Sequence, residues 1–545
     1  MPYQNSSKKN EPGGKTTHMI FNNNPDIQGF LQSSSCLTAP TFEEAKKITE
    51  DYLKIVGSDV VLPKYIVASD SSPYTEPLKG LYPSTQIGYI KNSMVLIELD
   101  EFNKLTPSNS NYVCPFKAAE LHRNGSDAIA FILPGCNVRY KNATTVKDGF
   151  RLAVYEQLTN EKTRFIDDVN ANDSFSVVDT LIAIEEGEGL PKGTIKIDKC
   201  PSCGAQETFL FTKTQHLHEC IECQEIVYIT DSLRIHEQIS DFGDNRSAIT
   251  RFMNVVEHLI IASFIRFYSI KDPEALSKMA FILDGPLAIF GQPAKVHARL
   301  MKLYYKIFKD LQEAGFTMPL IIGIQKSGAV VDHAVSLAKY INNGSYRLID
   351  DEYRHKYIAA RSESSENFGH ETYYGQDFIY KTENGKIFVF ALTYPFKDKN
   401  IVGFDNDDFT IEIKNQELSI VCKKEALKTN LSNILNNPKN LIKVLSIKDG
   451  SAKLVNDKII IDSRKGDISN VKVSLSSKKI FTFQKTELEY YYPLVEKAMK
   501  VISHFELELY ENAIIPIALA HRHASISLVP GGKVLDNLSK NGLKL

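Results

Sequence analysis

Tryptophan is absent from the 545 residues, and no apolar run is long enough to span a membrane. The longest candidates break early: Phe281-Ile282-Leu283 runs into Asp284, and Val255-Val256 runs into Glu257-His258. A spanning helix needs about 20 uninterrupted apolar residues, so no membrane association is expected. Charge of one sign is also missing. Lys and Arg total 64 against 66 Asp and Glu, a net charge of -2 with His neutral. That excludes a protein that coats nucleic acid by bulk charge. A local basic groove remains possible, because net charge averages over all faces. Residues 1–40 are rich in Asn, Ser, Gly and Lys and lack the apolar core of a signal peptide, so they read as a flexible tail. Without an export signal a cytoplasmic location is expected. The eight cysteines are then thiols or metal ligands rather than disulfides.

What is present is an ordinary globular composition, with 43% hydrophobic and 24% charged residues. A core of normal size is available without disulfide staples. Apolar periodicity predicts an amphipathic helix over 42–55. Strands follow over 65–68, ending at the polar run Ser69-Asp70-Ser71-Ser72-Pro73, and over 86–99, 128–133 and 175–184. Next come a helix over 245–267, a strand over 278–283, a helix over 295–314 and a strand over 320–324, with a helix after Lys326-Ser327-Gly328. Residues 349–368 read as a polar loop or lid and 386–392 as a strand. The segment 400–481 alternates short Ile/Val stretches with turn residues and reads as β-rich. A helix over 489–503 precedes one that starts at Pro516. The alternation of strand and helix makes the fold class α/β.

Cys200-Pro-Ser-Cys203-Gly and Cys220-Ile-Glu-Cys223 are two CxxC pairs separated by sixteen residues. Zinc takes four thiolates at tetrahedral positions, and each CxxC turn brings two of them to one ion. The reading is a zinc ribbon, with a reactive dithiol as its competitor. A closed four-thiolate site is structural, and it folds a short insertion with little core of its own. Contact of the ribbon with DNA or a partner stays open. His216 and His218 lie between the pairs and are not needed as ligands. Cys36, Cys114, Cys136 and Cys422 are scattered and read as small buried hydrophobes.

A second constellation is acidic. Asp70 and Asp284 close strands, and Glu257 sits on the helix before Asp284. Taken singly, such residues are ordinary turn formers or surface charges. Together, carboxylates from adjacent elements hold one or two divalent cations, and such ions hydrolyse phosphodiesters.

The motifs Ala68-Ser69-Asp70-Ser71-Ser72 and Phe281-Ile282-Leu283-Asp284-Gly285-Pro286 resemble the two Asp-Gly-Ser motifs of the NurA nuclease family. Gly323-Ile324-Gln325-Lys326-Ser327 resembles the family's next strand. Pro516-Ile517-Ala518-Leu519-Ala520-His521 resembles its terminal Pro-Leu-x-x-Ala-His. Ser71 stands where the family has Gly, Pro286 where it has Ser, and Ala513 where it has a tyrosine; Tyr510 is nearby but out of register.

The resemblance implies an RNase H-like core, related to the Argonaute nuclease domain, and cleavage of DNA with Mn²⁺ or Mg²⁺, often 5′→3′. It implies that Asp70, Glu257, Asp284 and His521 hold the metal, with Glu274 competing for the Glu257 position. His521 would complete the metal shell or move a proton, and Lys326 would meet a phosphate. Arg246, Arg251, Lys295 and Arg299 are candidates for further phosphate contacts. The implied partners are DNA and a HerA-type hexameric ATPase that feeds DNA to a NurA dimer, in repair or in defence against phage. The core would then comprise residues 41–195, 231–398 and 483–545, interrupted by the ribbon at 196–230 and a β-rich insertion at 399–482. Two other classes remain: an inactive NurA-like scaffold that clamps or loads the translocase, and a zinc-ribbon DNA-binding protein without a catalytic metal.

Overall fold

A computed structural model describes residues 24–34, 39–54, 60–79, 82–105, 126–166, 174–185, 193–291, 296–350, 353–358, 372–394, 484–507 and 513–526, with four strands between 409 and 463. Its centre is a nine-stranded mixed sheet. The strands are β1 (Leu53–Lys54), β2 (Tyr65–Lys79), β3 (Tyr82–Glu98), β4 (Ser126–Pro134), β5 (Met279–Asp284), β6 (Leu320–Gln325), β7 (Ser345–Leu348), β8 (Gly375–Lys381) and β9 (Ile387–Thr393). Their order across the sheet is β1-β7-β8-β9-β6-β5-β2-β3-β4. β2, β3 and β4 form an antiparallel meander. β5 runs parallel to both β2 and β6, and the remaining strands continue antiparallel.

The main helices are α1 (Phe42–Thr49), α2 (Val146–Thr159), α3 (Val177–Glu185), α4 (Arg246–Lys271), α5 (Val296–Glu313), α6 (Ala329–Leu337), α7 (Gln484–Phe505) and α8 (Ile515–Ala524). Successive strand residues face opposite ways, which divides the core in two. Val67, Phe281, Leu283 and Ile321 pack under α4 and α5. Ile66, Ala68, Ala280, Ile282, Ile322 and Ile324 pack under α7 and α8. α1 and α6 cover Ile379, Ile387 and Val389 at the far end of the sheet. Parallel strands buried on both faces must be apolar throughout, as Met279 to Leu283 are. α4 is, among the described residues, the one helix long and apolar enough to cross a membrane. However, 72% of its apolar window is buried inside the protein, as expected of a core helix.

Several elements differ from the sequence expectation. Residues 177–185 form α3, not part of a strand. Ser176 and Asp179 cap it reciprocally: Asp179 N–H donates to Ser176 Oγ at 3.0 Å, and Ser176 N–H to Asp179 Oδ2 at 2.8 Å. A short apolar run fits a buried helix as well as a buried strand, and here the cap decides. The helix expected over 42–55 stops at Thr49, and Leu53–Lys54 pairs as an edge strand with β7. β2 does not end at Asp70 but runs to Lys79. Its parallel partner β5 reaches only to Ser69, after which β3 alone pairs with it. One free edge is what makes Pro73 acceptable in a strand.

In the expected β-rich segment, Phe409–Lys414, Glu417–Cys422, Gly450–Val455 and Lys458–Ser463 form a second, four-stranded antiparallel sheet. Of the expected tail, Pro25–Ser33 is a helix with no buried residue, and residues 1–23 lie outside the described residues. The expected loop at 349–368 is described only at 349–350 and 353–358, where Arg354–Ile358 forms one π-helical turn.

Candidate metal centres

The four cysteines converge. Their sulfurs all lie within 4.8 Å of one another. Cys200 and Cys223 are 3.7 Å apart, as are Cys203 and Cys220. Zn–S bonds of about 2.3 Å make a tetrahedron with edges of about 3.8 Å, so this donor set fits zinc. Each pair sits on the turn of a hairpin: Thr194–Ile197 with Phe209–Thr212, and Leu217–Glu219 with Ile226–Tyr228. The two turns share one backbone pattern. Gly204 N–H donates to the Cys200 carbonyl at 3.0 Å, and Gln224 N–H to the Cys220 carbonyl at 2.9 Å. Both donors are left-handed, with φ of 81° and 59°. Glycine takes that conformation freely, whereas glutamine does so at a cost. Neither histidine is needed: His218 Nε2–H donates to the Leu210 carbonyl at 2.7 Å, and His216 packs edge-on against Tyr155.

The ribbon is fixed to the core by a residue that carries no sequence signal. Arg151, on α2, is 2% exposed. It donates to both carboxylate oxygens of Asp231 at 2.9 and 2.6 Å, to Asp148 at 2.8 Å, to Ser202 Oγ at 2.6 Å and to the Ile226 carbonyl at 2.6 Å. Ser202 lies between the first two cysteines and Ile226 on the second hairpin, so one guanidinium ties both halves of the ribbon to α2.

The second centre lies where β5 stops. Gly285, at φ 107°, turns the chain away and donates its N–H to the Ile324 carbonyl at 2.8 Å. Gly323 permits this, since a Cβ there would stand 2.5 Å from the Gly285 oxygen. Because β5 ends at Asp284, groups from the two helical layers approach the same strand end. Asp70, Asp284 and His521 each place a donor atom within 4.8 Å of the others. The Asp70 carboxylate accepts from His521 Nδ1–H at 2.7 Å, and Asp284 Oδ2 accepts from Lys326 Nζ at 2.7 Å. Asp70 is buried, Asp284 is half-buried, and His521 and Lys326 face solvent. Burial, then the Asp284 charge, raises the Asp70 carboxyl above its ordinary range, while His521 and Lys326 pull it back.

Glu257 comes to this end from α4. It is 7% exposed, and burial followed by the charges of Asp70 and Asp284 raises its carboxyl well above the usual range. Ser71 donates to it, and Asn92 Nδ2 donates to Ser71 at 2.7 Å. The serine in place of the expected glycine is thus engaged with Glu257. Among the described residues, Glu257 Oε1 and Asn92 Oδ1 are buried without a hydrogen-bond partner. Glu274, the competitor, stands at the opposite end of β5, exposed and paired with Lys278 at 2.5 Å.

Two carboxylates and an imidazole, from Asp70, Asp284 and His521, form a group that could hold a cation; Glu257 lies outside this group of mutually close donors.

Of the further basic candidates, Arg246 pairs with Asp244 and Gln86, and Arg299 lines a cavity of about 710 Å³ beside the ribbon. Arg251 packs over Gly291. Lys295, Cys36, Cys114 and Tyr510 lie outside the described residues, as does the Cys422 side chain. Cys136 is buried and accepts from Asn245 N–H at 3.2 Å. Sequence reasoning also missed the buried pair of His258 Nδ1 and Tyr374 OH, 2.7 Å apart. The fold and the two centres define a mixed α/β protein with a four-cysteine cluster and an Asp-Asp-His group. No protein-family model matches the sequence, and no curated protein matches it.

Proposed function

We propose that this protein is a divalent-cation-dependent nuclease that hydrolyses DNA phosphodiesters on an RNase H-like core. The single observation that carries the reading is the convergence of Asp70, Asp284 and His521 within 4.8 Å, with Lys326 beside them. The strand order supports the fold: an antiparallel meander β4-β3-β2 continues into β5 and β6, which run parallel to β2.

In this reading Asp70, Asp284 and His521 hold Mn²⁺ or Mg²⁺, with Glu257 behind them. The cation supplies Lewis-acid activation of water and neutralises charge at the scissile phosphate. Lys326 trades its bond to Asp284 for a phosphate oxygen. As the alternative to holding the cation, His521, exposed to solvent, would exchange a proton with the attacking water or the leaving oxygen. The cluster of Cys200, Cys203, Cys220 and Cys223 binds zinc structurally. A HerA-type hexameric ATPase that feeds DNA to a dimer of this chain would spare the nuclease a strongly basic surface, in keeping with a net charge of -2.

The test is cleavage of end-labelled linear duplex DNA in Mn²⁺, Mg²⁺ or EDTA, with and without a HerA-type ATPase, comparing wild type with Asp284→Ala. Metal-dependent degradation that vanishes in the variant supports the reading. Degradation only with the ATPase makes the motor obligatory. No cleavage under any condition overturns the nuclease reading. Retained ATPase binding would then favour a scaffold, to which Ser71, Pro286 and Ala513 would conform. Retained binding of DNA that depends on Cys200 to Cys223 would favour a zinc-ribbon DNA-binding protein.

A further inference from the structure

Ser71 joins two of the carboxylates gathered at the end of β5. It lies past Ser69, the last residue of β2 that pairs with β5, and opposite Asn92 on β3. Its N–H donates to Asp70 Oδ1 at 2.8 Å, and its hydroxyl donates to the Glu257 carboxylate. Parity assigns those carboxylates to different layers. Ala68, two residues before Asp70, packs under α7 and α8. Val67 and Ile90, on the face shared by Ser69, Ser71 and Asn92, pack under α4, which carries Glu257. One serine therefore connects a group from each side of the sheet. Asn92 in turn fixes the serine. It is 1% exposed, and its Nδ2 donates to Ser71 Oγ at 2.7 Å and to Ser69 Oγ at 3.3 Å. A hydroxyl that accepts from Asn92 keeps its own proton for Glu257. The chain Asn92–Ser71–Glu257 is buried beside Val67, Ile90 and Val256, where polar groups cost stability unless they bond to one another.

We propose that Ser71 and Asn92 are positioning residues of the cation site, and that Glu257 acts with them from outside the ligand set, holding Asp70 in place through Ser71 instead of binding the ion. The proposal rests on the reading of Asp70, Asp284 and His521 as a site for Mn²⁺ or Mg²⁺. Those three place their donor atoms within 4.8 Å of one another, and Glu257 does not join them. Its carboxylate is engaged with the Ser71 hydroxyl on the α4 side of β2. Asp70 is held at both oxygens, by Ser71 N–H on Oδ1 and by His521 on Oδ2. Freedom of the Ser71 backbone would therefore become freedom of the Asp70 carboxylate. Hydrogen-bond partners that orient a ligand in this way tune metal affinity as the ligands themselves do.

The experiment titrates full-length protein with Mn²⁺, without DNA, and reads free Mn²⁺ by its electron paramagnetic resonance signal, beside a thermal melt in EDTA. Ser71→Ala, Asn92→Leu and Glu257→Leu should each weaken Mn²⁺ binding about tenfold. Ser71→Ala/Asn92→Leu should lose no more than about twofold beyond either single change, because the links act in series. Ser71→Thr keeps the hydroxyl and should bind within about threefold of wild type. Asp70→Ala should abolish tight binding. Should Asn92→Leu fail to fold, Ser71→Ala, which removes a single oxygen, is the deciding variant. Wild-type affinity in Ser71→Ala overturns the positioning role, as does a loss in Ser71→Thr as large as in Ser71→Ala. A loss in Glu257→Leu as complete as in Asp70→Ala overturns the second half, since Glu257 is then a ligand. A wild type that binds no Mn²⁺ overturns the proposal together with the cation site. Because this readout needs no substrate, it is separable from cleavage. Ser71-dependent binding by a wild type that cleaves nothing leaves the positioning role standing and removes the nuclease; cleavage with Ser71-independent binding does the reverse.

Discussion

His521 donates from Nδ1 to Asp70 Oδ2 at 2.7 Å across a separation of 451 residues. The bond joins α8, on one face of the sheet, to β2 within it, and it leaves Nε2 directed elsewhere. If the imidazole serves the cation or a proton, His521→Ala should lower turnover with Mn²⁺ about 10²-fold or more, with the melting temperature little changed. Single-turnover cleavage beside a thermal melt checks this. Equal turnover would assign His521 to a local pairing role.

Glu257 makes the metal-free protein sensitive to alkali. Its carboxyl is raised well above the ordinary 4.5 by burial and by Asp70 and Asp284. The folded chain therefore keeps this proton at pH values where the unfolded chain has released it. Stability must then fall as pH rises from about 4.5 through the raised value, since the folded state binds more protons there. Melting in EDTA from about pH 5 upward should show this decline. Glu257→Gln should flatten it, and Mn²⁺ should flatten it in wild type alone.

Arg151 and Asp231 are a buried pair with side chains 1% and 2% exposed. Arg151→Ala leaves Asp231 charged and uncompensated, so it should cost about 3–5 kcal/mol. The loss should appear as a lower denaturation midpoint. Zinc content, measured by atomic emission, should fall with it, because Ser202 and the second hairpin lose their shared anchor. Arg151→Lys should rescue only part, since an ammonium cannot span both oxygens of Asp231 and reach Ser202 as well.

Gln224 occupies in the second CxxC turn the left-handed position that Gly204 occupies in the first. Gln224→Gly should stabilise the protein by about 1 kcal/mol, with Gly204→Gln costing about as much. Denaturant midpoints with zinc held constant would check both. A neutral Gln224→Gly would mean that its backbone is strained no more than the glycine's.

The parts of this architecture that could be read from sequence are those encoded locally. The CxxC spacing sufficed to bring four sulfurs together, and unbroken apolar runs marked β5 and β6. The limits were local too. Val177 to Glu185 is apolar enough for either regular structure, and only the Ser176–Asp179 cap settles it. The run Ser69 to Pro73 has turn composition but continues as strand, because β3 offers Asn92, Lys91 and Ile90 as partners. The relation of His521 to Asp70 was visible only through family resemblance. Arg151 left no trace, since a buried arginine on an amphipathic helix looks like any surface charge until its partners fold around it.

The route of the chain sets the order in which the second centre is completed during synthesis. β2, α4 and β5 emerge from the ribosome long before α8, so Asp70, Glu257 and Asp284 can be arranged while His521 is still untranslated. A polypeptide cut short anywhere between β5 and α8 would carry the acidic residues and the cysteines, yet lack both the imidazole and the helix that covers Ala68 and Val95. Whatever chemistry the cluster performs, the ordering acts as a delay: incomplete products are born without the finished centre.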